Sequence, residues 1–232
     1  MTSFAFDPEP QKILPIRGIG LMFPLNQIYC VGRNYADHAI EMGFDPSRDA
    51  PFFFMKPNYS IFTHQTDLAY PDQTNDLHHE VELVVALGSG GANLTAAQAE
   101  EAIYGYAVGL DLTRRDLQAI AKEQSRPWDA GKSFLHSAPC SIIVPKSEVQ
   151  DVENLKVSLH VNNELRQNGN TNQMIWKIKE LIIRLSELFP LYAGDLIYTG
   201  TPAGVGPLSI GDKVTADIEG LGELTFSVFR KN

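Results

Sequence analysis

The sequence of 232 residues is 44% hydrophobic and 20% charged, and 28 Asp and Glu against 19 Lys and Arg leave a formal net charge of -9. That length can bury one sizeable core, and the acidity, with a pI near 5.1, argues against a protein built to neutralise nucleic-acid phosphates or anionic lipid. No apolar run reaches the ~18 residues of a membrane span, because the long uncharged stretch 83–99 is interrupted by Gly, Ser, Asn, Thr and Gln.

The first residues carry early acids and no basic-then-apolar leader, which predicts a cytoplasmic protein. Residues 1–24 read as a short N-terminal appendage to one catalytic domain spanning 25–232. A first strand is expected at 28–32. The segment Asn34-Tyr-Ala-Asp-His38-Ala-Ile-Glu41, if helical, brings His38 and Glu41 onto one face. The 42–51 loop, rich in Asp, Pro and Gly, is expected to let that segment close as a lid. Residues 80–87 alternate as a strand, with Val81, Leu83, Val85 and Leu87 on one side and Glu80 and Glu82 on the other.

A helix is predicted at 96–102, an apolar segment at 104–110, and a second helix at 112–123 with Asp111 placed to cap it. A strand at 155–161 meets Asn162-Asn163, a pair suited to a two-residue hairpin turn. The best-marked helix starts near residue 172 and stops at Pro190, and the strands 213–219 and 223–229 form a closing hairpin. This mixture predicts an α+β, β-rich fold, largely antiparallel, without the regular alternation of a doubly wound sheet or a TIM barrel. Cys30 and Cys140 lack a CxxC partner and are expected to be reduced and buried.

Several familiar motifs fail. Gly131-Lys132-Ser133 ends like a phosphate loop, but Arg126 stands where the first Gly is required. There is no GxGxxG, no GxSxG, and no second His four residues after His79. Glu80, Glu82 and Asp111 are a more useful set, because three carboxylates suit a hard, oxygen-seeking cation such as Mg2+. Taken alone, their commoner meaning is a solvated strand face and a helix cap. His38 with Glu41 fits a general base and its orienting acid, or an exposed pair. Arg115, Gln118 and Lys132 are by themselves ordinary surface residues. The Thr199–Gly206 turn, with Thr201, offers backbone amides and a hydroxyl to a carboxylate, or only a turn.

Read together, Ile28-Tyr-Cys-Val-Gly-Arg-Asn-Tyr-Ala-Asp-His38, Phe52-Phe-Phe-Met-Lys-Pro57, His78-His-Glu-Val-Glu-Leu83, Gly109-Leu-Asp-Leu-Thr-Arg-Arg-Asp-Leu-Gln118, Gly131-Lys-Ser-Phe134 and Thr199-Gly-Thr-Pro-Ala-Gly-Val-Gly206 resemble the fumarylacetoacetate hydrolase family. Within it they are similar to the short acylpyruvate hydrolase branch. One departure is Asn163, where the family commonly carries Gly; Asn also tolerates positive φ.

The resemblance implies a mixed β-sandwich roll with a few peripheral helices, a homodimer, and bound Mg2+ or Mn2+, with Ca2+ as a substitute. It makes Glu80, Glu82 and Asp111 the metal ligands, His38 and Glu41 a catalytic dyad, and Lys132 an active-site lysine. Lys56, Arg115, Gln118 and Thr201 become substrate contacts, together with Arg33, a position where relatives vary. The implied reaction is hydrolysis of a carbon–carbon bond in an acylpyruvate, with fumarylpyruvate giving fumarate and pyruvate through a metal-stabilised pyruvate enolate, a step of aromatic catabolism. The same enolate serves oxaloacetate decarboxylation or keto–enol tautomerisation. A non-catalytic metal-binding oligomer would keep the carboxylates but have no use for His38, Glu41 and Lys132. The expected partner is a small 2-oxo acid, with no nucleic acid and no membrane.

Overall fold

Strand Val81–Leu87 organises the molecule, whose computed structural model describes residues 4–41, 49–63 and 67–231. Residues 42–48 of the expected lid lie outside that range. The strand's side chains alternate across a pleat, and both of its faces are covered: all of Val81–Leu87 is buried. Val81, Leu83, Val85 and Leu87 enter one core, whereas Val84 and Ala86 enter another on the opposite face. A strand buried on both faces must be central. It pairs antiparallel with Ile103–Leu110 on one side and with Leu196–Tyr198 on the other. Ile28–Gly32 joins parallel to Leu196–Tyr198, Phe52–Lys56 closes one edge, and Val144–Pro145 closes the other, making six strands.

A second sheet has the order Glu164–Asn170, Lys156–Val161, Lys213–Ile218, Gly222–Phe229 and Leu68–Ala69. Its pairs are antiparallel except the last. Asn162 and Asn163 reverse the first hairpin with φ of 52° and 66°, so Asn163 supplies the left-handed backbone that Gly commonly supplies in the family. Val157, Leu159, Val214, Ala216, Leu224 and Phe226 pack against the first sheet, each large side chain contributing ~1.5–3 kcal/mol on full burial. On the far face of the six-stranded sheet, Leu14 and Phe23 from the hairpin Ile13–Pro15 and Met22–Pro24 fill the second core beside Ile28 and Tyr198. Cys30 and Cys140 are free and buried there, and burial pushes the Cys140 thiol up to about 12.

Helix Ala96–Ala102 forms as expected, with Thr95 and Gln98 in a reciprocal capping box. Two expected helix starts are corrected. The helix predicted from 172 begins at Ile178 and runs to Leu188. Asn34 is the cause: its carbonyl accepts from Ile175 N–H at 2.8 Å and its side chain from Trp176 N–H at 2.7 Å, diverting both amides from helical bonding. The helix predicted from 112 begins at Arg115 and runs to Glu123. Thr113–Arg114 pairs instead with strand Leu77–His79, and Asp111 caps nothing because its carboxylate turns toward two buried ammonium groups. Among the described residues no helix is long and apolar enough to cross a membrane.

Candidate active site

The site forms where strand ends of opposite direction meet. Val81 pairs with Leu110, so the start of one strand lies beside the end of the next, and Asp111 N–H donates to the Glu80 carbonyl at 2.9 Å. The chain leaving Leu196–Tyr198 enters Thr199–Thr201 at the same end of the sheet, where Gly200 N–H donates to Glu82 Oε2 at 2.8 Å. Glu80, Glu82 and Asp111 each offer an oxygen within 4.8 Å of the others, and all three are buried.

Buried carboxylates need compensation, and here it is uneven. Lys132 Nζ donates to Glu80 Oε2 at 2.8 Å, Asp111 Oδ2 at 2.6 Å and Thr113 Oγ1 at 2.7 Å. Arg115 pairs with Glu80 and donates to Gln118 Oε1 at 2.6 Å. Burial raises the Glu80 carboxyl, but Lys132 and Arg115 outweigh it and hold Glu80 well below the usual carboxylate range. Burial lowers the Lys132 ammonium, yet Asp111 and Glu80 outweigh that and raise it. Glu82 has no ion pair among the described residues; burial first, then Asp111 and Glu80, drives its carboxyl well up. Lys56 Nζ lies 2.8 Å from Asp111 Oδ1 but out of line for a hydrogen bond, leaving that oxygen without one. An all-oxygen donor set with an under-compensated Glu82 and an Asp111 oxygen that takes no hydrogen bond can hold a hard divalent cation.

Helix Ala36–Glu41 brings His38 Nδ1 to 3.2 Å from Glu41 Oε2, as the spacing predicts. Gly204 N–H donates to Glu41 Oε1 at 3.1 Å, so the Gly-rich turn secures the acid that secures His38. Gln167, not singled out in the sequence, ties this turn to the metal-site strand. Its Oε1 accepts from Val81 N–H at 3.1 Å and bonds His79 Nδ1 at 2.9 Å, while its Nε2 donates to Thr201 Oγ1 at 2.8 Å.

These groups surround a cleft lined by His38, the three carboxylates, Lys132, Arg115, Gln118, Thr201 and Arg33. Lys56 alone of the expected substrate contacts is absent from the wall; it is fully buried behind Asp111. Phe52, Phe54, Lys122 and Trp128 also line the cleft and were not anticipated. Phe52 and Trp128 meet edge to face with centroids 5.2 Å apart. Phe52 fits because Gly32 lies beneath its ring, where a Cβ would come within 2.0 Å of it. The signal for Lys122 was present: it stands seven residues after Arg115 on one helical face.

The family model of the fumarylacetoacetate hydrolase C-terminal region matches residues 27–229. A fumarylpyruvate hydrolase of Ralstonia sp is 44% identical over 79% of this chain and 95% of its own length. The mitochondrial oxaloacetate tautomerase of Arabidopsis thaliana is 44% identical over 88% of this chain and 92% of its own. The solved fumarylpyruvate hydrolase of Pseudomonas aeruginosa, in complex with Mn2+ and pyruvate, is 46% identical with a TM-score of 0.95, covering 99% of this chain and 100% of that one. With the family's motifs gathered around the ends of neighbouring strands and its model spanning nearly the whole sequence, the chain belongs to the fumarylacetoacetate hydrolase family.

Proposed function

We propose that the protein hydrolyses a carbon–carbon bond in an acylpyruvate, converting fumarylpyruvate to fumarate and pyruvate. The observation carrying this reading is its likeness, over essentially the whole chain, to a fumarylpyruvate hydrolase solved with Mn2+ and pyruvate. Glu80, Glu82 and Asp111 are read as the ligands of Mg2+ or Mn2+, a cation that would supply Lewis-acid polarisation and stabilise developing negative charge.

The chain's own groups divide the remaining work. Glu41 holds His38 at Nδ1, which leaves Nε2 to take a proton from the attacking water. Gln118 and Lys132 donate to the oxyanion of the tetrahedral intermediate, an interaction worth ~3–4 kcal/mol. Because Lys132 already serves three acceptors, it exchanges one of them for the substrate oxygen. Thr201, Arg115 and Arg33 receive substrate carboxylate and keto oxygens, and Lys56 acts through Asp111. In this reading the protein is a cytoplasmic homodimer that consumes a product of aromatic-ring cleavage.

The tautomerase relative, of equal identity to the Ralstonia hydrolase, favours a second reading, keto–enol exchange or decarboxylation of oxaloacetate. Assays with Mg2+ on fumarylpyruvate, acetylpyruvate and oxaloacetate, with product identification, separate the two. Fumarate and pyruvate are the expected products of the first substrate; turnover of oxaloacetate alone overturns the hydrolase reading.

A further inference from the structure

The cleft changes character from floor to mouth. Its floor holds Glu80, Glu82, Asp111 and Lys132, all buried, whereas its mouth holds half-buried Lys122, Trp128, Phe52 and Phe54 and exposed Arg33. Lys122 Nζ sits 5.2 Å from the Trp128 ring centroid, and the Arg33 guanidinium 5.5 Å from that of Phe52. Cations over aromatic faces in a half-desolvated mouth form a receptor for a flat anionic group.

Helix Arg115–Glu123 sets the length of that receptor. Arg115 touches Glu80, Gln118 touches Arg115, and Lys122 follows on the same face. From Arg115 to Lys122 is about 10 Å along the helix axis, on the scale of an extended seven-carbon dicarboxylate. A substrate whose 2-oxo acid end lies on the floor therefore points its acyl end at Lys122.

We propose that Lys122, backed by the aromatic wall of Phe52, Phe54 and Trp128, is the specificity-determining contact for the far carboxylate of the substrate. The site then selects flat, unsaturated acyl chains that end in a carboxylate over neutral ones such as acetyl. This assignment rests on the proposed acylpyruvate reading for its substrate orientation. Arg33, Arg115 and Lys132 add positive charge around Lys122, with Glu80 opposing.

The test compares ratios within one preparation, which a reduced folded yield does not move. Calorimetric binding of 2-oxopimelate and 2-oxoheptanoate, both of seven carbons, to Mn2+-loaded protein needs no turnover, and the two ligands differ in ending with carboxylate or methyl. The wild type is expected to prefer 2-oxopimelate by about 10-fold or more, as a charged hydrogen bond warrants. Lys122→Met is expected to abolish most of that preference and Lys122→Arg to retain it. The ratio of kcat/KM for fumarylpyruvate over acetylpyruvate should fall in parallel in Lys122→Met. No preference in the wild type, or an unchanged preference in Lys122→Met, overturns the assignment. Failure of the wild type to hydrolyse either acylpyruvate, with the binding preference intact, overturns the hydrolase reading alone.

Discussion

Gly200 donates its N–H to Glu82 Oε2 at 2.8 Å from a backbone with φ of 95°, while a Cβ there would lie 2.7 Å from Asn34 Cβ. One residue thus orients a proposed metal ligand and seats the segment leading to the His38 helix, and only Gly satisfies both demands. Gly200→Ala is expected to destabilise the fold by about 1–3 kcal/mol and to weaken Mn2+ binding. Urea unfolding and calorimetry measure the two effects; unchanged metal affinity would separate Gly200 from the metal site.

Glu82→Gln should act in opposite directions on the two forms. Without metal it removes a carboxylate that burial and two like charges disfavour, so Tm rises by a few degrees, roughly what 1 kcal/mol produces. With Mn2+ or Mg2+ present it removes metal binding and turnover together. Retained metal-dependent activity contradicts the assignment.

Glu41→Gln leaves the shape of the dyad but removes the charge that orients and polarises His38. The expected loss is about 100-fold or more in kcat, the scale of general-base catalysis. Metal affinity should change less than about threefold, because Glu41 is bonded to His38 and Gly204 and not to the carboxylate cluster. A large loss of Mn2+ affinity in calorimetry would show that the dyad is part of the metal site.

Gln167→Leu strands the donor at Val81 and the acceptor at Pro202 in a fully buried setting. A cost of about 2–4 kcal/mol is expected, and KM should rise more than kcat falls, because Thr201 loses its anchor. Chemical denaturation and steady-state kinetics at saturating Mg2+ measure both quantities.

Burial, then Arg115, Arg33 and Lys132, lowers the Lys122 ammonium to about 8, with Glu80 opposing. Below that pH Lys122 is charged and above it neutral, and kcat/KM reports the free enzyme. For fumarylpyruvate, kcat/KM should therefore fall above pH ~8, and the fall should be absent in Lys122→Arg. The same fall in Lys122→Arg would assign the titration to another group.

Local pattern made much of this protein legible. The alternation of Val81 to Leu87, the Asn162-Asn163 turn, the closing hairpin and the helix at 96–102 depend on neighbours a few residues away, and each forms. The His38–Glu41 contact follows from one helical turn. Where expectation failed, a distant group had claimed the local one: Asn34 took the amides that would have begun the last helix early, and Lys56 and Lys132 took the carboxylate that would have capped the helix after Asp111.

Residue types and spacing singled out the acidic set and the His–Glu pair as candidates, and the ordered motifs carried the resemblance to the family. Only the tertiary structure decided that Glu80 and Glu82 lie on a buried face, that Asp111 joins them across an antiparallel register, and that Lys56 stands behind them. It also decided that Lys122 and three aromatic rings line the cleft. The physical reason is that burial and charge compensation are sums over groups from many chain segments. The -9 of the sequence does not disclose that three of its carboxylates are gathered at the ends of interior strands, two of them paired with Lys56, Lys132 and Arg115.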